Sequence, residues 1–226
     1  MIQQYKLIEK KNLTDNVFEL VFEWENEIQV KPWYFITFLL DKIWGRAYSI
    51  LETNWKNVVF IIKKRETSEW GRWGSKYICD LNIWENLRWV WPVWHFVLKE
   101  NSNNKLFIWT GTWFVPLYNQ IVWALNAKQD CKLKLIFWVR EEKDLFYVDE
   151  LEKLKQNNNN FDYELYLSRA EKEWTKKWYI TDYLTKENVL NFQEFYICWA
   201  PNMIDSAVEL LKNAWANEDN IFYEKY

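Results

Sequence analysis

A strand that leads through a glycine turn into a helix start is the clearest place for chemistry in this sequence. Residues 106–117 read LFIWTGTWFVPL, in which an apolar run leads into Thr110-Gly111-Thr112 and then Pro116. Backbone N–H groups at a helix start bind anions, and the first strand-to-helix turn of a parallel sheet commonly holds a phosphate. The segment therefore predicts a loop that binds the phosphates of a nucleotide.

Tryptophan stands on both sides of this turn, where a phosphate loop needs glycine. Trp109 and Trp113 are bulky, whereas a backbone that approaches a pyrophosphate needs small residues and positive φ angles. With glycine at both positions the segment reads Gly-Thr-Gly-Thr-Gly-Phe-Val-Pro. The same exchange makes a turn of Trp91-Pro92-Val93-Trp94, and at Trp215 it gives a helix its left-handed glycine cap.

The composition of the whole chain shows the same exchange. The 226 residues include 18 tryptophans and only 4 glycines, which together make 22 positions. An ordinary protein has about 7% glycine, so 22 positions are close to a normal glycine content. We hypothesise that UGA means glycine in the source organism and that the printed tryptophans are glycine in the native protein. Peptide mass spectrometry of the native protein tests this, and tryptophan at these positions would refute it.

Two roles for genuine tryptophans are the alternative. Exposed aromatic faces bind sugars, and aromatic belts hold proteins at membrane interfaces. Either role would place tryptophan on one face or at two levels, whereas here tryptophan clusters in turns beside proline, asparagine and glycine. This distribution favours the glycine interpretation.

The elements that must position these residues change character near residue 101. The first hundred residues contain short β-rich runs between polar turns, which is typical of an antiparallel barrel. From residue 105 strands alternate with helices, which predicts a doubly wound parallel sheet. We therefore predict two domains, an antiparallel β-barrel at residues 1–100 and an α/β nucleotide-binding domain at residues 101–226.

Charge and cysteine content argue against several function classes. The net charge of -3 gives no reason to expect nucleic acid or an anionic membrane as a partner. Three widely spaced cysteines match neither a disulfide framework nor a metal or iron–sulfur pattern, so we expect no metal. The start has no signal core, and no apolar run approaches the roughly 20 residues of a membrane span. We expect a cytoplasmic protein.

With glycine at the tryptophan positions, the chain resembles the ferredoxin–NADP reductase family over nearly its whole length. Four motifs in the expected order carry the resemblance: Arg46-Ala47-Tyr48-Ser49, Gly71–Leu81, Trp109–Pro116 and Cys198-Trp199-Ala200-Pro201. The resemblance implies a flavoprotein oxidoreductase with FAD as its cofactor and NADP or NAD as its nicotinamide substrate. It also implies that the barrel binds FAD and that the α/β domain binds NAD(P).

The first two motifs are similar to the family's flavin-binding residues. The resemblance implies that Arg46 neutralises the FAD pyrophosphate, that Tyr48, after Ala47, packs on the isoalloxazine ring, and that Ser49 hydrogen-bonds near flavin N5. The resemblance also implies that a second group of residues holds the same pyrophosphate: Trp73, Gly74 and Ser75. By themselves, these motifs are also compatible with a strand carrying one exposed arginine and with a plain glycine-rich turn.

The last two motifs resemble the family's nicotinamide-binding residues. The resemblance assigns the dinucleotide phosphates to one loop, Thr110, Gly111, Thr112 and Trp113. It places Cys198 beside the nicotinamide ring as hydride moves to flavin N5, with Trp199 and Pro201 in the following turn. A buried cysteine at a strand end is otherwise usually a small apolar residue.

Further residues have counterparts in the family. Arg140 follows the second strand of the α/β domain and could meet the nucleotide, or it could be a simple exposed arginine. Ser168 and Arg169 stand where related NADP enzymes hold the 2′-phosphate, and since NAD enzymes carry the same pair, NADP is only mildly preferred. Glu224 and Tyr226 resemble the end of plant-type reductases, whose last ring covers the flavin, although many relatives end in a similar strand without that role.

The implied activity is electron transfer between NAD(P)H and a one-electron carrier protein of the ferredoxin or flavodoxin type. The candidate catalytic residues are Ser49, Cys198 and Glu224. Because the cysteines form no four-cysteine set, the electron acceptor is expected to be a separate protein. An NADH-dependent flavin or oxygenase reductase component is the alternative. If the indoles are real, they would block the phosphates, and the chain would be a non-catalytic, aromatic-rich binding protein.

Overall fold

The structure is a computed structural model that describes residues 2–26, 34–40, 43–66, 73–94, 96–169 and 182–225. The chain divides into two compact units, Met1–Val97 and Leu98–Tyr226. Tyr226 lies outside the described residues, so its role as a cover for the flavin stays a prediction.

The first unit is an antiparallel sheet of seven strands with a short helix, α1, at Gly74–Asp80. Its strands are β1 Ile2–Asn12, β2 Val17–Glu23, β3 Tyr34–Leu40, β4 Ile43–Ser49, β5 Glu52–Asn54, β6 Asn57–Lys63 and β7 Asn86–Trp94. They lie in the order β4-β3-β7-β1-β2-β6-β5. Because β4 at one edge also approaches β6 near the other edge, the sheet is barrel-like.

Alternating apolar side chains form the core of this unit. On β2, Phe18, Leu20 and Phe22 are buried while Glu19 and Glu23 are more exposed, as expected for a strand with one face turned inward. The ring of Phe22 lies 5.5 Å from that of Phe38 on β3, centroid to centroid. Each fully buried ring of this size stabilises the fold by about 1.5 to 3 kcal/mol.

The second unit is a parallel sheet of five strands with helices along the chain between them. The strands are β8 Lys105–Thr110, β9 Leu133–Val139, β10 Phe161–Leu167, β11 Glu194–Trp199 and β12 Ile221–Lys225. The helices are α2 Val115–Asn126, α3 Val148–Asn157, α4 Lys186–Val189 and α5 Pro201–Asn213.

The strand order β10-β9-β8-β11-β12 reverses at β8. All six residues of β8 and of β11 are buried, because both faces of a central parallel strand are covered. A reversal of this kind opens a crevice at the carboxyl ends of the strands, which is where ligands bind in open α/β sheets. The two-domain fold class predicted from the sequence is confirmed.

Hydrogen bonds join residues 99–101, just before β8, to strand β11 of the second unit. The backbone N–H of Lys99 donates to the Tyr196 hydroxyl at 3.0 Å, and the side-chain amide of Asn101 donates to Glu194 at 2.6 Å. These bonds account for the division between the units at Leu98, slightly before the predicted domain start at residue 101.

Candidate functional site

In the first unit, Arg46 packs against the start of α1. Arg46 lies on β4 and pairs with Phe38 on β3. A Cβ atom on Gly74 would lie 2.7 Å from Cγ of Arg46 and 3.2 Å from Cδ1 of Leu40. Only glycine therefore allows this close approach, and the structure brings the predicted pyrophosphate ligands Arg46 and Gly74 together.

Two further residues, Ser75 and Arg65, meet at the start of α1. Ser75 Oγ accepts a hydrogen bond from the backbone N–H of Arg65 at 3.2 Å. Trp73, just before α1, has φ 56°, in the left-handed region that glycine adopts without steric cost. Arg65 is a nearby basic residue that the sequence analysis missed. Its position after β6 gave no motif, and only the fold places it beside Ser75.

Tyr48 lies two residues beyond Arg46 on β4, so both side chains project from the same face of the strand. The Tyr48 ring is partly buried, with its centroid 5.9 Å from that of Phe38. Burial raises the pKa of the Tyr48 hydroxyl, so the ring is neutral at physiological pH. Ala47 and Ser49 pair with Thr37 and Phe35 on β3. The arrangement offers a neutral aromatic face beside a cation.

In the second unit, the predicted phosphate loop follows β8 directly. Gly111 has φ +53°, and a Cβ placed there would meet no atom within 4 Å, so backbone conformation rather than space favours glycine. A 3₁₀ turn at Gly111–Phe114 leads into α2, which has Pro116 in its first turn. Thr110 is buried at the strand end, while Thr112 and Trp113 are partly exposed. The loop lies at the carboxyl edge of the sheet, as predicted.

Indole rings lie over this same edge. Trp138 on β9 pairs with Thr110 on β8, and Trp199 ends β11 on the other side of β8. The ring centroids of Trp138 and Trp199 lie 5.7 Å apart, and Trp113 packs against the same apolar cluster. In the printed chain, indole rings therefore pack beside the residues predicted to bind the dinucleotide phosphates.

Two of the indoles have buried polar atoms without partners. Trp109 is fully buried against Phe114 and Phe137, at centroid distances of 5.4 and 5.1 Å. Within the described part of the chain, Nε1 of Trp109 and Nε1 of Trp138 have no hydrogen-bond partner. A buried donor left without a partner costs about 1 to 3 kcal/mol. Glycine at either position would remove this cost.

Four other tryptophans have left-handed backbone conformations: Trp55, Trp73, Trp84 and Trp215, with φ between 54° and 77°. Their side chains are 63% to 71% exposed. They are four of the seven described residues with positive φ, and Gly111 is another. An L residue in this region costs roughly 1 to 2 kcal/mol. These four positions therefore suit glycine better than tryptophan.

Cys198 lies on β11 in register with Trp109 on β8 and with Glu224 on β12. Burial, and then the nearby charge of Glu224, raise the pKa of the Cys198 thiol well above its usual range. The thiol is therefore neutral, and it is a small contact group rather than a nucleophile. Pro201 begins α5 directly after this strand.

The loops after β9 and β10 bring Arg140, Ser168 and Arg169 together. The backbone N–H of Ser168 donates to the Val139 carbonyl at 3.2 Å, and that of Arg169 donates to the Arg140 carbonyl at 3.0 Å. Glu141 follows Arg140 and lies 3.8 Å from Arg169, Oε1 to Nη1. The sequence analysis missed it because nothing distinguishes it from other charged residues of its loop. The adjacent Lys143 and then Arg169 lower the pKa of the Glu141 carboxyl, so it is ionised.

The described residues contain no group of three or more histidine, cysteine, aspartate and glutamate side chains arranged to hold a metal ion. Of the helices described, none has the length and apolar character needed to cross a membrane.

Comparison with known proteins agrees with this geometry. Residues 107–209 match the family model of the oxidoreductase NAD-binding domain. A ferredoxin NADP+ reductase from Neisseria gonorrhoeae, solved with bound FAD and NADP, shares the fold with a TM-score of 0.82, 18% identity and coverage of 99% of this chain and 98% of that one. The chain therefore contains an oxidoreductase NAD-binding domain and has the fold of this reductase.

The chain is also similar to two other kinds of reductase. A cytochrome P450 reductase from Amycolatopsis gives a TM-score of 0.87 at 17% identity, covering 99% of this chain and 70% of that one. A subunit of the Na+-translocating NADH-quinone reductase of Shewanella denitrificans is 27% identical over 162 residues, 67% of this chain and 40% of the relative. The chain therefore spans about two fifths of that relative. The comparisons agree with the resemblance predicted from the four motifs.

Proposed function

We propose that this chain binds FAD in its first unit and transfers electrons from NAD(P)H to a one-electron carrier protein. The observation that carries the proposal is the Gly111 turn at the sheet's switch point, within the segment that matches an oxidoreductase NAD-binding domain. A nucleotide bound there has its phosphates at the start of α2, where backbone N–H groups favour anions.

The residues of the first unit fit FAD. Arg46 supplies a fixed positive charge beside the glycine start of α1, where a Cβ atom would clash. A guanidinium group suits a pyrophosphate because its planar donors bond phosphate oxygens in pairs. Tyr48 supplies an uncharged ring on the same strand face. When bound, FAD accepts an electron pair from NAD(P)H and releases the electrons one at a time.

The residues of the second unit bind and orient the nicotinamide dinucleotide. The 3₁₀ turn at Gly111–Phe114 presents backbone N–H groups to its phosphates. Cys198 keeps a small, neutral side chain at the end of β11, and Glu224 lies beside it on β12. Ser49, on β4 of the first unit, is the third proposed catalytic residue. The proposed chemistry needs no general base, so the protein acts mainly by orientation.

We infer that the electron acceptor is a carrier of the ferredoxin or flavodoxin type, because the three cysteines, Cys79, Cys131 and Cys198, are fewer than the four thiolates that hold an iron–sulfur cluster. An oxygenase or flavin reductase component is the second candidate, which the similarity to a cytochrome P450 reductase favours. A cytoplasmic location fits these free, buried cysteines.

We also infer that the printed tryptophans are glycine in the native protein, through UGA codons that specify glycine. Three observations support this: the left-handed, exposed tryptophans, the buried indole N–H groups without partners, and the rings that pack beside the end of β8. All three are typical of side chains placed where the backbone needs glycine.

The test is the visible spectrum of two full-length chains, the printed chain and one with glycine at all 18 tryptophan positions. Each is supplied with FAD and then titrated anaerobically with NADPH or NADH. We expect a bound-flavin spectrum that bleaches in the glycine chain and no bleaching in the printed chain. A folded glycine chain that stays colourless contradicts the flavoprotein proposal. Equal bleaching of both chains contradicts the glycine inference.

A matched pair of variants in the glycine chain tests the FAD residues. Arg46→Gln removes the proposed pyrophosphate cation, and Arg88→Gln removes an exposed arginine on β7 of the same sheet. A hydrogen bond to a charged group is worth about 1.5 to 3 kcal/mol, so Arg46→Gln should weaken FAD binding by roughly 10- to 100-fold. Equal FAD affinity in the two variants would show that Arg46 does not bind the pyrophosphate.

A further inference from the structure

The strand order decides where each half of a dinucleotide lies. A dinucleotide with its phosphates at the end of β8 extends one half over β11 and the other half over β9 and β10. Neighbouring strands are about 4.8 Å apart, so the ends of β9 and β10 are within the reach of one nucleoside. If Cys198 on β11 meets the nicotinamide, as proposed above, the adenosine half lies over β9 and β10.

The ends of β9 and β10 form one rigid, charged edge. The two strands are paired along their full length, up to Leu167 opposite Val139. Beyond the strands, the hydrogen bonds of Ser168 and Arg169 to the β9 side continue the pairing. The backbone pairing therefore brings Arg169 beside Arg140, and the side chains of Arg169 and Glu141 lie near each other at this edge.

Glu141 places a carboxylate at this edge, in the loop that follows β9. Its Oε2 lies 2.8 Å from Nζ of Lys143, and its Oε1 lies 3.8 Å from Nη1 of Arg169. The Glu141 side chain is 38% exposed, so a ligand can reach it. The carboxylate therefore offsets the charge of Arg169 and presents hydrogen-bond acceptors to solvent.

A carboxylate at the ribose distinguishes the two nicotinamide dinucleotides. The 2′- and 3′-hydroxyl groups of NADH can donate hydrogen bonds to a carboxylate. The 2′-phosphate of NADPH is a dianion, which Glu141 would repel and which would have to compete with Glu141 for Arg169. We propose that Glu141 is a specificity residue that selects NADH over NADPH. This inference rests on the proposed function only for the direction in which the dinucleotide lies.

The first test measures binding without any flavin chemistry. Glu141→Gln in the full chain with glycine at all 18 tryptophan positions keeps the side chain's size and removes its charge, and Glu142→Gln removes the adjacent, exposed carboxylate. Calorimetry with 5′-AMP and 2′,5′-ADP gives the ratio of the two dissociation constants. We expect Glu141→Gln to shift this ratio about tenfold toward 2′,5′-ADP, and Glu142→Gln to shift it less than about threefold.

The shift in the ratio of dissociation constants should also become smaller as salt is added. Glu141 and Arg169 are both partly exposed, and salt screens such charges. An unchanged ratio in Glu141→Gln overturns the inference, and so does a chain that binds neither nucleotide. An equal shift in Glu142→Gln overturns it as well, because it would reduce the effect to general surface charge.

The second test separates this inference from the proposed function. The ratio of kcat/KM for NADPH and NADH is measured in the FAD-loaded glycine chain with ferricyanide as acceptor. We expect Glu141→Gln to shift the ratio toward NADPH through KM, and Glu142→Gln to leave the ratio close to that of the parent chain. A chain that oxidises NADH with an unaltered ratio overturns the inference and keeps the proposed function. A chain that shows the binding shift but oxidises neither dinucleotide contradicts the proposed function alone.

Discussion

Replacing Trp215 by glycine and, separately, by alanine measures the conformational preference at the end of α5. Trp215 N–H donates to the Lys212 carbonyl at 3.0 Å, and Ala216 N–H donates to the Leu211 carbonyl at 2.9 Å. With φ 76° at Trp215, these bonds form the helix ending in which glycine is the preferred residue. We therefore expect the Trp215→Gly chain to be more stable than the Trp215→Ala chain.

The size of the difference follows from two opposing effects. Alanine in the left-handed region costs roughly 1 to 2 kcal/mol, while the extra freedom of glycine in the unfolded chain offsets about 0.4 to 1 kcal/mol. Both variants remove the same indole ring, including its contact with Nζ of Lys186, 3.5 Å from the ring centroid. The lost contact cancels in the comparison, so glycine should exceed alanine by about 0.5 to 1 kcal/mol.

Trp123 provides the matched control. It lies inside α2, where glycine is less favourable than alanine by about 1 kcal/mol. The glycine-minus-alanine difference in the free energy of unfolding should therefore have opposite signs at Trp215 and Trp123. Urea unfolding of the four chains measures both differences. Glycine that is equal to or worse than alanine at Trp215 would refute the argument from backbone conformation.

Two further predictions concern buried groups of the second unit. Glu194→Gln should lower the free energy of unfolding by about 3 kcal/mol, measured by urea unfolding, because it leaves the buried Lys105 ammonium without its charged partner, 3.5 Å away. Burial raises the pKa of Glu194, but hydrogen bonds from Asn101, Asn103 and Tyr196 outweigh it and hold the pKa below its usual value of 4.5. The native carboxylate therefore contributes stability above pH 4.5 that is lost as the pH falls through its lower folded pKa, and a chain with glutamine should lack this part of the acid sensitivity. Cys198 should resist iodoacetamide at pH 8 in the folded protein and react in urea, because its buried thiol is neutral; peptide mass spectrometry reads the result, and rapid labelling of the folded chain would show that the thiol is accessible.

Local patterns in the sequence were enough to predict the fold class and the Thr110-Gly111-Thr112 turn. The turn predicted at Trp91-Pro92-Val93-Trp94 is wrong, because these residues form the end of strand β7. Short β-rich runs between polar turns predicted the antiparallel sheet, and strands that alternate with helices predicted the parallel sheet. The Thr110-Gly111-Thr112 turn was predicted because glycine, a strand end and a helix start adjoin in the chain. The tryptophans were assigned to glycine positions on the same grounds, since a turn is a property of a few consecutive residues.

The sequence could not predict which distant residues lie next to the predicted site residues in space. Arg65 meets Ser75 only because β6 and α1 pack in the same unit, and Glu141 meets Arg169 only because β9 and β10 are paired in register. Lys105 and Glu194 are likewise brought together by the pairing of β8 with β11.

The sequence by itself therefore determined which residues can bind phosphate, cap a helix or end a strand, because those properties depend on local backbone conformation. The tertiary structure decided which charges face one another. It did so because the register of a parallel sheet sets the contacts between distant residues, and the pattern within each strand does not contain that register.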